Sequence, residues 1–297
     1  MSVLPGPIRA KARVLSSLRA LLHDEGFTEV VTPVARRADL GSGRRAPVGL
    51  HEGRYLRAMI GPALRVNVNT DLPRVYEIGP CFRPEPPDAL HATEFTMLDL
   101  YAAHLGFEDL IDLAWRMVGP HLPSYTPERL SIADHVHTEF DIDLRTEPIS
   151  GLHPLMAARI GADPGEPFRD VLGRYISREL EAGTTGRAVF LTDYPTGGDE
   201  PCARRASGTT AVLERFELIV DGIELVHGYT DETDPTAFTE RAKAVGLYDD
   251  EQRLAQEAVE AGLVPADTAG LGIGIERLCA ASAGLRDITP FLQSPQF

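Results

Sequence analysis

Apolar residues recur at helical spacing from Ile8 to Leu22, where Ile8, Ala12, Leu15, Leu18 and Leu22 share one face. That spacing predicts an amphipathic helix over 8–22, and Gly26 stands where such a helix stops. Phe27 to Pro33 reads as a short strand halted by its proline, which has no N–H for a ladder. Residues 35–53 are rich in Arg and Gly and predict a mobile loop. Strands are expected at 54–60, 75–83 and 94–103. A helix follows over 107–118, with Leu110, Leu113, Ala114 and Met117 on one face. The stretch 120–170 mixes Pro and His without a clear period and predicts little. The pattern then predicts a helix at 168–182, a strand at 188–193, and a hairpin over 214–229 that turns at Asp221-Gly222. Helices at 235–245 and 248–261 come next. The chain ends by running through Gly270-Leu-Gly-Ile-Gly274 into a helix over 275–284.

Several antiparallel strands flanked by helices point to an α+β fold, with 1–297 expected as a single domain. A chain of 297 residues can bury roughly three quarters of its unfolded surface, so it needs no metal or disulfide staple. Cys81, Cys202 and Cys279 lie far apart and form no Cys-x-x-Cys pair. No run approaches the ~18 apolar residues of a membrane span, and the N-terminus lacks the pattern of a signal peptide. These features predict a cytoplasmic protein with no membrane partner. Acids outnumber bases 44 to 29, and the formal charge of −15 argues against a general nucleic-acid-binding surface. The charge is uneven. Up to Arg83 there are 13 bases and 7 acids, so an anionic ligand is more welcome in the first third than in the rest.

The densest chemistry lies in Val75-Tyr-Glu-Ile-Gly-Pro-Cys-Phe-Arg83-Pro-Glu85 and, after a short loop, His91-Ala-Thr-Glu94-Phe95-Thr-Met-Leu-Asp99. Arg83 and Glu85, two residues apart on a strand, share a face. Arg83 supplies a planar, permanently charged donor for phosphate or carboxylate, and Phe95 a face on which a base can stack. Alone, an Arg-x-Glu in a strand is more often a cross-strand ion pair.

It is not alone. Phe-Arg-x-Glu, a loop, then His-x-x-Glu-Phe-Thr-Met-Leu, over about 75–100, resembles motif 2 of class II aminoacyl-tRNA synthetases, and of the lysine enzyme and its relatives in particular. Residues 8–33 resemble motif 1, the helix-and-strand dimer element. Gly270-Leu-Gly-Ile-Gly-Ile-Glu-Arg277, within 270–284, resembles motif 3, where glycines let a ligand approach the backbone. Leu213-Glu-Arg-Phe-Glu217-Leu-Ile-Val-Asp-Gly-Ile-Glu224-Leu is similar to the strand pair that precedes it. The matches fall in the expected order along nearly the whole chain.

The resemblance implies a class II catalytic fold, mainly antiparallel sheet flanked by helices, and an ATP-dependent ligase that forms an aminoacyl-adenylate. It implies ATP contacts from Arg83, Glu85, His91, Phe95, Glu217, Glu224 and Arg277, with Arg83 and Arg277 as the catalytic charges. Mg2+ is implied at Glu217 and Glu224, since hard oxygen ligands suit that ion. Asp99, His227, Asp231 and Gly272 are implied on the amino-acid side. Asp99 and Asp231 match two glutamates that hold lysine's terminal ammonium, so a cationic or modified amino acid is expected. The family's α-ammonium acid is replaced by Ala63, with another acid or a slip across Asn67–Asp71 as the alternative. His227 stands in place of an asparagine.

The motif 1 helix begins by residue 8, which leaves no room for an N-terminal anticodon-binding barrel. With the acidic balance, this predicts a homodimer that passes its amino acid to a small molecule or a protein rather than to tRNA. Two alternatives stay open: a lysyl or β-lysyl ligase modifying elongation factor P, and a non-catalytic regulatory paralogue that binds an amino acid.

Overall fold

A computed structural model describes residues 5–37, 48–84, 86–198, 202–246 and 250–292. The chain opens with α1 (Pro5–Asp24); of the expected face Leu18 and Leu22 are buried, but Ile8 and Ala12 are exposed, and the buried side is completed by Lys11 and Val14. After Gly26, at φ +77°, comes β1 (Thr28–Glu29), much shorter than the expected 27–33. Beyond Val30 the pairing ends because a side chain captures the backbone. Glu77 accepts from the Thr32 N–H at 2.9 Å and from its hydroxyl at 2.7 Å.

Residues 35–53, expected as a mobile loop, contain β2 (Ala35–Arg37) and β3 (Val48–Gly49); 38–47 lie outside the described residues. Both strands pair with β4 (Arg54–Leu56), shorter than the expected 54–60. A short helix that the sequence reading missed follows, α2 (Gly61–Arg65). Next come β5 (Arg74–Phe82), β6 (Glu94–Ala103) and α3 (Phe107–Val118), each within a residue or two of expectation.

The unread stretch holds β7 (Pro127–Ser131), α4 (Ile132–Phe140) and α5 (Leu152–Ile160). The expected helix 168–182 begins as α6 (Phe168–Tyr175) and then loosens into a π turn over Ile176–Leu180. The hairpin is β9 (Val212–Val220) and β10 (Ile223–Thr230), preceded by β8 (Ala188–Pro195). The remaining elements are α7 (Pro235–Val245), α8 (Asp250–Glu260), β11 (Thr268–Gly274) and α9 (Ile275–Ser282).

Eight strands form one sheet in the order β1-β5-β6-β11-β10-β9-β8-β7. Only the two outermost pairs, β1 with β5 and β7 with β8, are parallel. The fold is therefore a mostly antiparallel sheet flanked by helices. Because side chains alternate along a strand, one face carries Leu98, Leu100 and Leu271 into a core shared with α1, α3 and α9. A second core sets α4, α5 and α6 against β8 and Ile219. The opposite face of the central strands is left to line a cleft.

One buried ion pair ties the ends of the chain to the middle. Lys11 Nζ meets Glu276 Oε1 at 2.6 Å and donates to Thr96 Oγ1 at 3.1 Å, while Glu276 Oε2 accepts from the Thr96 N–H at 2.9 Å. This binds α1, the start of β6 and α9 to one another. Arg57 and Glu77 form a similar buried pair at 2.7 Å under β5.

Candidate active site

The register of the central strands sets out the cleft as two rows of residues. Asp99 pairs with Gly272, Gly272 with His227, and His227 with Glu217. Two residues along, Tyr101, Gly270, Tyr229 and Arg215 form the next row. All face one side of the sheet and border a cleft of about 410 Å³. The glycines of β11 are its floor. A Cβ at Gly270 would lie 2.6 Å from the Tyr101 ring, and one at Gly272 would lie 2.5 Å from Asp99 Oδ1. Only glycine lets these two side chains lie across the strand.

Arg83 and Phe95 stand together on one wall, the guanidinium carbon 5.0 Å from the ring centroid. At the mouth, Arg277 donates to Glu224 Oε2 at 3.3 Å and to His91 Nε2 at 3.1 Å. Since arginine can only donate, His91 Nε2 accepts, and its Nδ1–H is left to donate to Asp88 at 2.8 Å. Arg277 is thereby held across the opening between two elements that are far apart in sequence. Glu85 lies outside the described residues.

Glu217 and Glu224 sit on neighbouring strands, β9 and β10, and both border the cleft. Glu217 accepts from Arg215 Nη2 at 2.6 Å. Burial pushes the Glu217 carboxyl up; Arg215 opposes this, and the charge of Glu224 adds to it. Glu224 is more open to solvent, and Arg277 and then His227 hold its carboxyl below the usual range. No group of three or more metal-ligating side chains occurs among the described residues. Mg2+ does not require one, because it keeps several waters and binds through one or two carboxylates plus substrate phosphates. Two carboxylates on neighbouring strands, both bordering one cleft, fit that ion.

The amino-acid end departs from expectation. Asp231 does not reach the cleft. It is 1% exposed and is clasped by Arg65, whose Nε lies 3.0 and 3.1 Å from its two oxygens and whose Nη2 lies 2.8 Å from Oδ1. Arg65 Nη2 also donates to Tyr229 OH at 2.7 Å and Tyr101 OH at 3.0 Å. The cation between Asp231 and the tyrosines therefore belongs to the chain itself. The expected convergence of Asp99 and Asp231 on a substrate cation is corrected by this contact.

Asp99 remains on the wall. Its Oδ2 accepts from the Ile60 and Gly61 N–H groups at 3.0 and 2.9 Å. Burial raises its carboxyl to about 6, with those amides, Arg57 and Arg83 working the other way. His227 Nε2 faces Arg215 Nε at 3.3 Å and must accept, so that lone pair is already engaged. Asn67 and Asp71 lie in an exposed turn, where Asn67 caps Ala63 O and Asp71 N donates to Asn69, so they supply no acid to the cleft.

The sequence reading missed Arg65, Tyr101, Tyr229 and Arg215. The tyrosines carried a signal, since each lies two residues from a residue already singled out on its strand. Arg65 carried none.

Residues 4–296 match the family model described as tRNA synthetases class II (D, K and N). The chain belongs to that family. Among its relatives, the lysine–tRNA ligase of Kineococcus radiotolerans is 30% identical over 94% of this chain and 61% of its own length. The lysine–tRNA ligase of Roseiflexus sp. is 29% identical over 91% and 60%, and that of Streptococcus suis 28% over 95% and 63%. This class II chain thus spans about 60% of the length of the curated relatives it matches. No helix among its described residues is long and apolar enough to cross a membrane.

Proposed function

We propose that this class II chain activates an amino acid with ATP and passes it to an acceptor other than tRNA. A carboxylate oxygen of the amino acid attacks the α-phosphorus of ATP, the bond to the β-phosphate oxygen breaks, and pyrophosphate leaves. The acceptor, an amine or another nucleophile on a small molecule or a protein, then attacks the carbonyl carbon, and AMP leaves with the bonding pair. A carboxylate is already a nucleophile, so the first step needs no general base. Its barrier is lowered by positioning and by fixed positive charge.

The observation that carries this reading is the pairing of Arg83 over Phe95 on one wall with Arg277, strapped to Glu224 and His91, across the mouth. Arg83 serves the substrate carboxylate and α-phosphate, Phe95 and Arg277 the adenine, and Arg277 with His91 the outer phosphates. Glu217 and Glu224 would hold Mg2+, which when bound neutralises phosphate charge. A purely regulatory amino-acid sensor has no use for this set of ATP contacts. The formal charge of −15 supports an acceptor other than tRNA. Dimerisation through α1 and β1 belongs to the same reading, supported by Val31, 91% exposed beside the outermost strand.

Hydroxylamine trapping tests it. With ATP, Mg2+ and a cognate amino acid, the protein is expected to form the hydroxamate with no tRNA present. Stable transfer of labelled amino acid to total tRNA at physiological salt would contradict the acceptor assignment.

A further inference from the structure

The carboxylates bordering the cleft differ in what neutralises them. Glu217 is held by Arg215 at 2.6 Å, Glu224 by Arg277 at 3.3 Å and Glu276 by Lys11 at 2.6 Å. Behind the wall, Asp231 is held by Arg65. Asp99 is different: its hydrogen bonds come from two backbone amides, and Arg57 and Arg83 act on it only through space. It is 6% exposed, with Oδ1 lying over Gly272 in the cleft floor.

Arg65 closes the pocket beyond Asp99. Its guanidinium lies 5.3 Å from the Tyr101 ring centroid and 5.9 Å from that of Tyr229, and the two hydroxyls are 2.9 Å apart. Arg65 is 2% exposed, and Ala255 of α8 and Cys202 border the cleft nearby. A second substrate ammonium reaching this end would meet a guanidinium in place of a carboxylate. Displacing Arg65 would strand a buried charge, which is strongly unfavourable. An acidic side chain gains nothing either, because Asp231 already neutralises Arg65.

We infer that Arg65 is a built-in replacement for a substrate cation, so that the amino acid taken here carries a single ammonium, held by Asp99, and a small uncharged side chain. This rests on the adenylate-forming reading, with the substrate carboxylate at Arg83. One ammonium and one carboxylate then meet one acid and one base. Glycine, alanine, serine and β-alanine have this form; lysine, ornithine and β-lysine carry one ammonium too many. Arg65 determines specificity and touches no reacting atom.

ATP–pyrophosphate exchange against those seven amino acids tests the inference with the unmodified protein. At least one of the first four is expected to exceed every diamino acid tenfold or more in kcat/KM. A diamino acid as the best substrate would overturn the inference and leave adenylate formation standing. Exchange with none of the seven but with another amino acid would overturn the inference and leave adenylate formation standing; exchange with no amino acid at all would overturn adenylate formation. Titration calorimetry with the same amino acids then decides the inference by itself: alanine or glycine binding more tightly than lysine upholds it, and lysine binding more tightly, or no binding by either class, overturns it. In Arg65→Ala, which bares Asp231, preference is expected to move at least tenfold toward lysine; an unchanged ratio in a folded variant would also overturn it. Should that variant not fold, the wild-type panel decides.

Discussion

Lys11 and Glu276, 265 residues apart, meet at 2.6 Å in the interior, with Thr96 bonded to both. The pair fixes the first helix against the helix that carries Arg277. Removing one partner of a buried pair leaves the other charged and unsolvated, at a cost of about 3–5 kcal/mol. Glu276→Ala should therefore lower the urea midpoint sharply without changing the slope, and amino-acid activation should fall with the folded fraction. A midpoint within error of the wild type would show that the pair does not hold these elements together.

The motifs and the strands that carry them were legible in the sequence because β5, β6 and the β9–β10 hairpin are long, alternate cleanly and end at turn residues. Asp221-Gly222 supplies the positive φ angles, +51° and +74°, that such a turn requires. The edge was less legible. Phe27 to Pro33 looks like a strand, but Val31 points to solvent and Glu77 takes the Thr32 amide. Residues 120–170 defeated the reading because α4 and α5 are nine residues each, too short to show a period. Arg65 was invisible for a different reason. It ends a five-residue helix, and its partners Tyr101 and Asp231 are 36 and 166 residues away. A resemblance maps positions one by one, so it could not reveal that an arginine distant in sequence pairs with Asp231.

Asp99 should give amino-acid binding a pH dependence. Its carboxyl is raised from the ordinary 3.8 to about 6 by burial, and only the ionised form attracts an ammonium. Below pH 6 the KM for the amino acid is expected to rise about tenfold per unit, as each unit removes that much of the ionised form. The sign for stability is opposite, because protonation relieves a buried charge: Asp99 contributes more to stability at pH 4 than at pH 7. Asp99→Asn should bind the amino acid poorly throughout and lose the limb near pH 6. Retention of that limb in Asp99→Asn would assign it elsewhere.

Val31 predicts the assembly. Val31 lies in the segment proposed for the dimer contact and is 91% exposed beside an edge strand. Light scattering at micromolar concentration is expected to give a dimer for the wild type and a monomer for Val31→Asp. A monomeric wild type would exclude assembly through this edge.

Glu224 predicts the metal requirement. Held ionised by Arg277 and His227, it is the readier of the two carboxylates to meet a divalent cation. Glu224→Gln should raise the Mg2+ concentration for half-maximal exchange roughly tenfold, the scale of one charged contact. An unchanged Mg2+ dependence would remove Glu224 from the metal site.

The central claim is that this cleft joins an amino acid to AMP, and Arg83 offers the most direct test of it. Pyrophosphate exchange should be measured for the wild type and Arg83→Ala with the best amino acid of the panel and no tRNA. Amino-acid-dependent exchange in the wild type, reduced about a hundredfold or more in the variant, is expected from the loss of one transition-state charge contact. Equal exchange in the two proteins, or none from any amino acid in the wild type, would contradict the account.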